Sequence, residues 1–194
     1  MTAILRVASP SYLGGVSVHS ANSVGDTAVH RFIISSIMKQ LYIIRHGKAS
    51  QQMMPDIKRP LIEKGIKRTR KFAKKLKETG VQPDLIVSSP AVRAYQTAEI
   101  LAEIFDYPKE KIDINKYFYF HSEDAVLHQL MGLSDTVHTV FITGHNPIWT
   151  DLADELMQQD IWHLRTSGIA GVAFETDSWT DLLQAKRKDL VLIN

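Results

Sequence analysis

The sequence predicts an α/β fold: a three-layer αβα sandwich around a mostly parallel central sheet. Three observations predict it. Short apolar segments rich in strand-forming residues recur along the chain, each is followed by a turn sequence, and amphipathic helical patterns lie between them. Strands that alternate with helices in this way build a parallel sheet with helices on both faces.

The first half of the pattern is a strand, a helix, a second strand and a second helix. Residues 41–44 are apolar on both faces, as expected of a buried strand in a parallel sheet. Apolar residues recur on one helical face over 63–79, and Gly80 is a typical helix stop. Residues 84–87 predict the second strand, and the helix after it is marked by Ala94, Ala98, Leu101 and Phe105.

The second half repeats the alternation. Ser122 is a predicted N-cap for a helix whose apolar face carries Val126, Leu127, Leu130 and Met131. Residues 139–143 predict a third strand, followed by a helix through Leu156. Residues 168–174 and 190–193 predict late strands, antiparallel at one edge of the sheet.

The first 37 residues differ in composition from the rest. They contain no Lys or Glu, one Asp and two Arg, whereas the remainder is rich in both signs of charge. Such a segment fits either a transit peptide or an extension that results from an upstream start codon or from cloning, and we favour the extension. We predict a disordered leader over 1–37 and one domain over 38–194.

Composition excludes several classes of protein. The 194 residues include 23 basic and 21 acidic side chains, so no broad basic field indicates a nucleic-acid partner. The chain has no cysteine, which excludes a disulfide scaffold, a cysteine nucleophile and an iron–sulfur cluster. The apolar runs are too short to span a bilayer, so we expect a soluble, cytoplasmic protein without a membrane partner.

Polar residues with a shared chemistry follow the three parallel strands. These strands end in Arg45-His46-Gly47, in Ser88-Ser89-Pro90 with Arg93 just beyond, and in Gly144-His145-Asn146. Ligands of open α/β sheets bind beyond the carboxyl ends of the strands, so two arginines and two histidines should meet there. None of the three segments contains an acidic residue. The sequence therefore predicts a cationic pocket for a phosphoryl group, whose oxygens match the guanidinium fork.

A histidine among arginines has a definite chemical use. Neighbouring cations disfavour the imidazolium, so the imidazole stays neutral and can attack phosphorus to form a covalent intermediate. The arginines supply the charge stabilisation that Mg²⁺ supplies elsewhere, so we expect no metal and no cofactor. His121 and His128 have no third ligand nearby and do not predict a metal site.

These motifs resemble the histidine phosphatase (phosphoglycerate mutase-like) superfamily, which carries Arg-His-Gly at the end of its first strand. Residues 41–49 read Leu-Tyr-Ile-Ile-Arg-His-Gly-Lys-Ala. Four further segments, in the family's order, resemble the small SixA-type phosphohistidine phosphatases: Arg59-Pro60-Leu61 with Gly65, Ser88-Ser89-Pro90 with Arg93 and Gln96-Thr97-Ala98, Gly144-His145-Asn146-Pro147, and Thr166-Ser167-Gly168-Ile169-Ala170. The resemblance covers nearly all of 38–194 and implies a phosphoglycerate mutase-like fold.

The resemblance implies a role for each core position. His46 is the nucleophile that becomes phosphorylated. Arg45 and Arg93 hold phosphoryl oxygens, and His145 helps to stabilise the transition state. The strand-end argument brings the same four residues to one edge of the sheet.

Three other matched positions have two interpretations each. Arg59 matches an extra arginine of the SixA type that faces the phosphate, and the alternative is a solvated arginine in a Pro-flanked loop. Thr166 and Ser167 either line the pocket or form a loop turn.

The leaving group decides the expected substrate. An alcohol needs a proton from a positioned acid, and superfamily members that act on esters commonly carry that carboxylate between the second arginine and the second histidine. No acid in residues 93–145 stands in the family's usual acidic motif. Imidazole, with a free pKa of about 6.5, departs without a dedicated carboxylate. The chain is also too short for a lid, so an open pocket could admit a protein side chain.

We therefore predict a metal-independent phosphatase that acts on phosphohistidine of a phosphotransfer protein. One alternative is a small-molecule phosphomonoesterase of the sugar-phosphate or phosphoserine type, and another is a non-catalytic phosphate-binding module. A dense basic run over 58–77 is either a solvated helix face, which we favour, or a docking surface for an acidic partner on the helix over 63–78.

Overall fold

A computed structural model describes residues 38–120 and 122–194 of the chain. The predicted leader over 1–37 and His121 lie outside the described residues. Within them, the strands are β1 (Met38–Arg45), β2 (Leu85–Ser88), β3 (Asp113–Ile114), β4 (Thr139–Gly144), β5 (Ile169–Glu175) and β6 (Arg187–Ile193). The α-helices are α1 (Glu63–Lys77), α2 (Val92–Ile104), α3 (Tyr117–Phe120), α4 (Glu123–Met131) and α5 (Ile148–Leu156). Short 3₁₀ turns span Asp56–Lys58, Lys109–Lys111 and Trp179–Asp181.

The strands form one sheet in the order β3-β2-β4-β1-β5-β6. β3, β2, β4 and β1 are mutually parallel, whereas β5 and β6 are antiparallel to their neighbours. The prediction of a mostly parallel sheet with two antiparallel strands at one edge is therefore confirmed. Parallel neighbours need a crossover, and the helices between them supply it.

The two faces of β1 explain the three layers. Leu41 and Ile43 point into one apolar cluster, which contains residues of α4 and α5 such as Leu130 and Trp149. Tyr42 and Ile44 point into the other cluster, which contains residues of α1 and α2. Because successive strand residues face opposite sides, a strand that is apolar throughout must be covered by helices on both faces, and this one is.

Helix ends agree with the local signals in the sequence. Gly80 closes the turn after α1 with a φ of +81°, a conformation that costs glycine little. The Ser122 hydroxyl accepts a hydrogen bond from the Ala125 amide at 3.3 Å, so the predicted N-cap of α4 is confirmed.

Two elements were not predicted, and one was predicted too short. β3 is two residues long and exposed, and α3 is four residues long. Neither is long enough to show a hydrophobic period. β6 begins at Arg187 rather than at residue 190, because its polar first half pairs with β5 at an edge where one side faces solvent. No helix in the described parts of the chain is long and apolar enough to cross a bilayer.

Candidate active site

Sheet register brings the two predicted site histidines together. Arg45 at the end of β1 pairs with Gly144 at the end of β4, so the next residue of each strand is a histidine at the same edge. The His46 amide donates to the Gly144 carbonyl at 3.0 Å. The two imidazole rings lie with their centroids 5.0 Å apart. The strand-end argument is therefore correct for this pair.

The backbone beneath His46 is held from two sides. The Ser167 amide donates to the carbonyls of Arg45 and His46, both at 3.1 Å, and the Gly47 amide donates to Oγ1 of Thr97 at 3.0 Å. A Cβ on Gly47 would lie 2.7 Å from Oγ1 of Thr69, so a larger residue would not fit there without a shift. Ser167 thus belongs to a turn that fixes the strand end, which decides between its two interpretations.

The hydrogen bonds of His46 define its tautomer. Nδ1 lies 2.7 Å from the Gly47 carbonyl oxygen, which can only accept, so Nδ1 carries the proton. Nε2 then has a lone pair, and Nε of Arg93 donates to it at 3.3 Å. Burial, aided by the charges of Arg93, Arg45 and Arg59, lowers the pKa of His46 to about 4. At neutral pH the imidazole is therefore uncharged, with a nucleophilic Nε2.

His145 is also neutral, and its Nε2 contacts a serine hydroxyl. Oγ of Ser89 accepts from the Ala91 amide at 3.3 Å and lies 2.8 Å from Nε2 of His145. A hydroxyl that accepts one hydrogen bond can still donate its own proton, and in the tautomer where it donates to Nε2 the ring proton of His145 is on Nδ1. Nδ1 is buried and has no hydrogen-bond partner among the described residues. Burial lowers the pKa of His145 to about 3, so the ring is neutral at neutral pH and, in this tautomer, offers an N–H at Nδ1.

Nη1 of Arg45 contacts the loop before β5, whereas its Nε has no partner among the described residues. Nη1 donates to the Leu164 carbonyl at 2.8 Å and lies 3.1 Å from Nε2 of His163. Nε of Arg45 is buried and has no partner within the described chain. This buried N–H therefore belongs to the residue that precedes His46 in the chain.

Arg93 is deeply buried and is engaged by a carboxylate that the sequence argument did not include. Nη1 donates to the backbone carbonyl of Asp56 at 2.6 Å, and Nη2 donates to its Oδ2 at 2.8 Å. The side chain of Arg93 is 6% exposed and that of Asp56 is 45% exposed. The three strand-end segments contain no acidic residue, as the sequence shows, but the loop before α1 places Asp56 beside the guanidinium.

Asp56 contacts two predicted site residues, Arg59 and Arg93, and one that was not predicted, Tyr119. Its Oδ1 lies 3.0 Å from Nε of Arg59, and the Tyr119 hydroxyl donates to its Oδ2 at 2.9 Å. The Tyr119 and Arg93 hydrogen bonds, together with the charges of Arg93 and Arg59, outweigh desolvation and hold the pKa of Asp56 below its usual value. Arg59 lies near enough to His46 to affect its pKa. In the sequence, only the position of Asp56 three residues before the matched Arg59 indicates that it lies near the site.

A cleft of about 450 Å³ opens beside the histidines. Its lining residues are Asp56, Arg93, Tyr119, His145, Asn146, Pro147 and Ile148. The Asn146 Nδ2 donates to the Leu164 carbonyl at 3.1 Å, which fixes the orientation of the amide. The cleft is thus bordered by His145, whose ring centroid lies 5.0 Å from that of His46. No group of three or more His, Asp or Glu side chains in the described residues is arranged to hold a metal ion.

Residues 41–114 match the model of a family described as the histidine phosphatase superfamily (branch 1). An uncharacterized protein of Picosynechococcus sp. is 45% identical over 65 residues, which are 32% of this chain and 39% of that protein. The mitochondrial serine/threonine-protein phosphatase Pgam5 of Drosophila melanogaster is 32% identical over 74 residues, 38% of this chain and 26% of its own length. The chain thus spans less than half of either relative.

Three comparisons extend over most of the chain. Phosphohistidine phosphatase SixA of Escherichia coli is 28% identical over 138 residues, 70% of this chain and 86% of its own length. A solved structure of the protein histidine phosphatase SixA complexed with tungstate has a TM-score of 0.68 at 25% identity, covering 79% of this chain and 96% of that one. A SixA structure from Nakamurella multipartitia has a TM-score of 0.70 at 20% identity, with 81% and 96% covered.

Proposed function

We propose that this chain, which belongs to the histidine phosphatase superfamily, is a phosphatase that removes phosphate from phosphohistidine through a phosphorylated His46. The observation that carries the proposal is the state of His46: a neutral imidazole whose Nε2 lone pair lies beside the Arg93 guanidinium. A nucleophile next to a cationic hydrogen-bond donor is what phosphoryl transfer requires.

The first half-reaction transfers the phosphoryl group to the enzyme. Nε2 of His46 attacks phosphorus, a new P–N bond forms, and the bond to the leaving group breaks with its electron pair. Charge on the three equatorial oxygens is met by Arg45, Arg93 and the Nδ1–H of His145. Nε of Arg45 and Nδ1 of His145, which have no hydrogen-bond partner among the described residues, are the donors that we assign to these oxygens.

The second half-reaction regenerates the enzyme. Water attacks the phosphorus of phospho-His46, the P–N bond breaks, and Nε2 recovers its lone pair while inorganic phosphate leaves. The Nδ1–H contact with the Gly47 carbonyl is compatible with both steps, because Nε2 alone changes its bonding. Three positive or donor groups perform the electrostatic work, so the proposed reaction uses no metal ion.

Phosphohistidine is the proposed substrate for two reasons. Asp56 is the carboxylate that lines the cleft, and its lowered pKa makes it a poor proton donor for an alcohol. The chain is also similar to SixA phosphohistidine phosphatase over 86% of that protein's length. A serine or threonine phosphoester is the second candidate, favoured by the 32% identity to Pgam5 over 74 residues.

Trapping the intermediate tests the mechanism. Reaction quenched during turnover of a phosphohistidine protein should yield phosphate on His46 that is labile in acid and stable in base. The His46→Ala variant should keep its fold and lose essentially all turnover. The mechanism is wrong if the label resides on a serine or aspartate, or if His46→Ala remains active. Comparing kcat/KM for the phosphohistidine protein with that for phosphoserine and sugar phosphates then decides the substrate class.

A further inference from the structure

The cleft beside the histidines carries a carboxylate at its mouth. Asp56 belongs to the short 3₁₀ turn Asp56–Lys58, and its Oδ2 accepts hydrogen bonds from Arg93 and Tyr119. A carboxylate offers about four lone-pair sites. Three neighbouring donors, on Arg59, Arg93 and Tyr119, therefore leave room for one more donor from a ligand in the cleft.

A second acceptor lines the same cleft. The amide of Asn146 is oriented by its Nδ2 contact with Leu164, and the opposite atom, Oδ1, is buried with no hydrogen-bond partner among the described residues. A buried acceptor without a donor is costly, and such atoms in a binding cleft are commonly satisfied by a ligand. An acceptor there repels a phosphoryl oxygen and suits an N–H.

We propose that the Asp56 carboxylate and Oδ1 of Asn146 form a leaving-group subsite that accepts the N–H of a protonated imidazole and so selects phosphohistidine over phosphate esters. This inference rests on the proposed phosphatase function and concerns the part of the substrate beyond the phosphoryl group. Asp56 and Asn146 line the cleft together with Arg93 and His145, the residues to which the proposed function assigns the phosphoryl oxygens.

The imidazole leaving group needs a proton on its second ring nitrogen when the P–N bond breaks. In phosphohistidine one ring nitrogen is bonded to phosphorus and the other can carry a proton. When the P–N bond breaks, its electron pair stays on the first nitrogen, and neutral imidazole is released only if the second nitrogen already holds its proton. The subsite transfers no proton; it keeps one in place by accepting the hydrogen bond.

Phosphate esters need a proton donor in this position rather than an acceptor. An alkoxide must receive a proton from a donor, and neither an ionised carboxylate nor a carboxamide oxygen has one to give. The hydroxyl of Tyr119 already donates to Asp56. The pair of acceptors therefore lowers the barrier for an imidazole leaving group without lowering it for an alcohol.

Two small substrates that differ in the leaving group test the subsite on the full chain. N-phosphoimidazole releases imidazole, and 4-nitrophenyl phosphate releases a phenolate that needs no proton. Asp56→Asn and Asn146→Leu should each reduce the ratio of kcat/KM for N-phosphoimidazole over 4-nitrophenyl phosphate about tenfold, as expected for one charge-assisted or buried hydrogen bond. Asp124→Asn, which removes an exposed carboxylate from α4, is the matched control and should keep the wild-type ratio.

The pH profile separates an acceptor from a merely structural carboxylate. The charged or titratable groups that face Asp56 are Arg59, Arg93, Tyr119 and His145. A carboxylate beside the bound substrate raises the pKa of its ring nitrogen, so Asp56→Asn should move the alkaline limb of kcat for N-phosphoimidazole about one unit lower. The limb for 4-nitrophenyl phosphate should stay in place.

Failure of the subsite can be told apart from failure of the proposed function. If wild-type protein does not hydrolyse N-phosphoimidazole, or if His46→Ala does, the proposed function is wrong. If turnover depends on His46 but either folded subsite variant keeps a ratio within twofold of wild type, the subsite is refuted and the phosphatase proposal stands. Equal shifts of both alkaline limbs would also refute it.

Discussion

Nε of Arg93 donates a hydrogen bond to Nε2 of His46 at 3.3 Å, so a guanidinium holds the reactive lone pair in place before any substrate arrives. The same guanidinium binds Asp56 through both of its Nη atoms. All three guanidinium nitrogens of Arg93 thus contact His46 or Asp56, and two of its five N–H groups remain for phosphoryl oxygens in the proposed reaction.

Arg93→Ala should lower kcat about 10²–10³-fold for any phosphorylated substrate, because it removes a donor aimed at the transferring group. Arg93→Lys should recover little of the loss, since an ammonium cannot replace the planar fork. Steady-state kinetics with 4-nitrophenyl phosphate measure both variants, and Arg68→Ala on α1 serves as the control. A loss of less than tenfold in Arg93→Ala would contradict the assigned role.

The lowered pKa of His46 predicts a dependence of stability on pH. The folded pKa of about 4 lies below the ordinary value of 6.5, so the unfolded chain takes up a proton first as pH falls. This histidine alone should reduce the free energy of unfolding by about 2 kcal/mol between pH 8 and pH 5. The free energy of unfolding of His46→Gln should therefore fall by about 2 kcal/mol less than that of wild type between pH 8 and pH 5.

Denaturant titrations at pH 8, 6.5 and 5 compare the two proteins, because other titrating groups contribute equally to both. If NMR shows that the His46 imidazole titrates near pH 6.5 in the folded protein, the two proteins should not differ in the pH dependence of stability and the prediction is wrong.

Turnover should not depend on an added metal ion, since Arg45, Arg93 and His145 supply the donors for the phosphoryl oxygens. EDTA should leave the rate with 4-nitrophenyl phosphate unchanged, and tungstate, the anion bound in the similar SixA structure, should inhibit competitively. Arg45→Ala should weaken inhibition by tungstate along with kcat. A rate that is lost in EDTA and restored by Mg²⁺ would point to a different mechanism.

The basic surface of α1, formed by Lys64, Lys71 and Lys74, provides a test for a protein substrate. The structure pairs Lys67 with Glu63, Arg70 with Glu103 and Lys77 with Asp106, so part of the basic run is neutralised within the fold. Replacing the three residues of the basic surface with Glu should reduce kcat/KM for an acidic phosphohistidine protein about tenfold at low salt.

The same triple variant should hydrolyse 4-nitrophenyl phosphate at the wild-type rate, and its defect should fade as salt is added. Lys186→Glu, just before β6, combined with Lys188→Glu on β6, tests whether negative charge added outside α1 has the same effect. Equal loss for both substrates, or no loss for either, would identify the basic surface as a solvated helix face.

Local pattern was enough to predict the sheet and the meeting of four site residues. The apolar run Leu41 to Ile44 required a strand buried on both faces, and the turns after each strand marked where it ends. Once strands are parallel and in register, their carboxyl ends share an edge, so Arg45, His46 and His145 had to converge. Arg93 follows the second strand end by a few residues, within the first turn of α2.

Tertiary structure decided which groups surround that core. Asp56 and Tyr119 are far apart in sequence, and their hydrogen bond depends on the path of one loop and on a four-residue helix. Neither segment has a hydrophobic period to predict its position. The tautomers of His46 and His145 likewise depend on the Gly47 carbonyl and the Ser89 hydroxyl, whose orientations no residue pattern encodes.

The sequence by itself determined the fold and which candidate site residues meet at the strand ends, because side-chain alternation and strand register are local properties that propagate across a sheet. Only the tertiary structure decided that a carboxylate adjoins this cationic site and that Asn146 leaves an acceptor unpaired beside it. Those contacts arise where loops from separate elements pack together, and there each side-chain position depends on the whole of the surrounding structure.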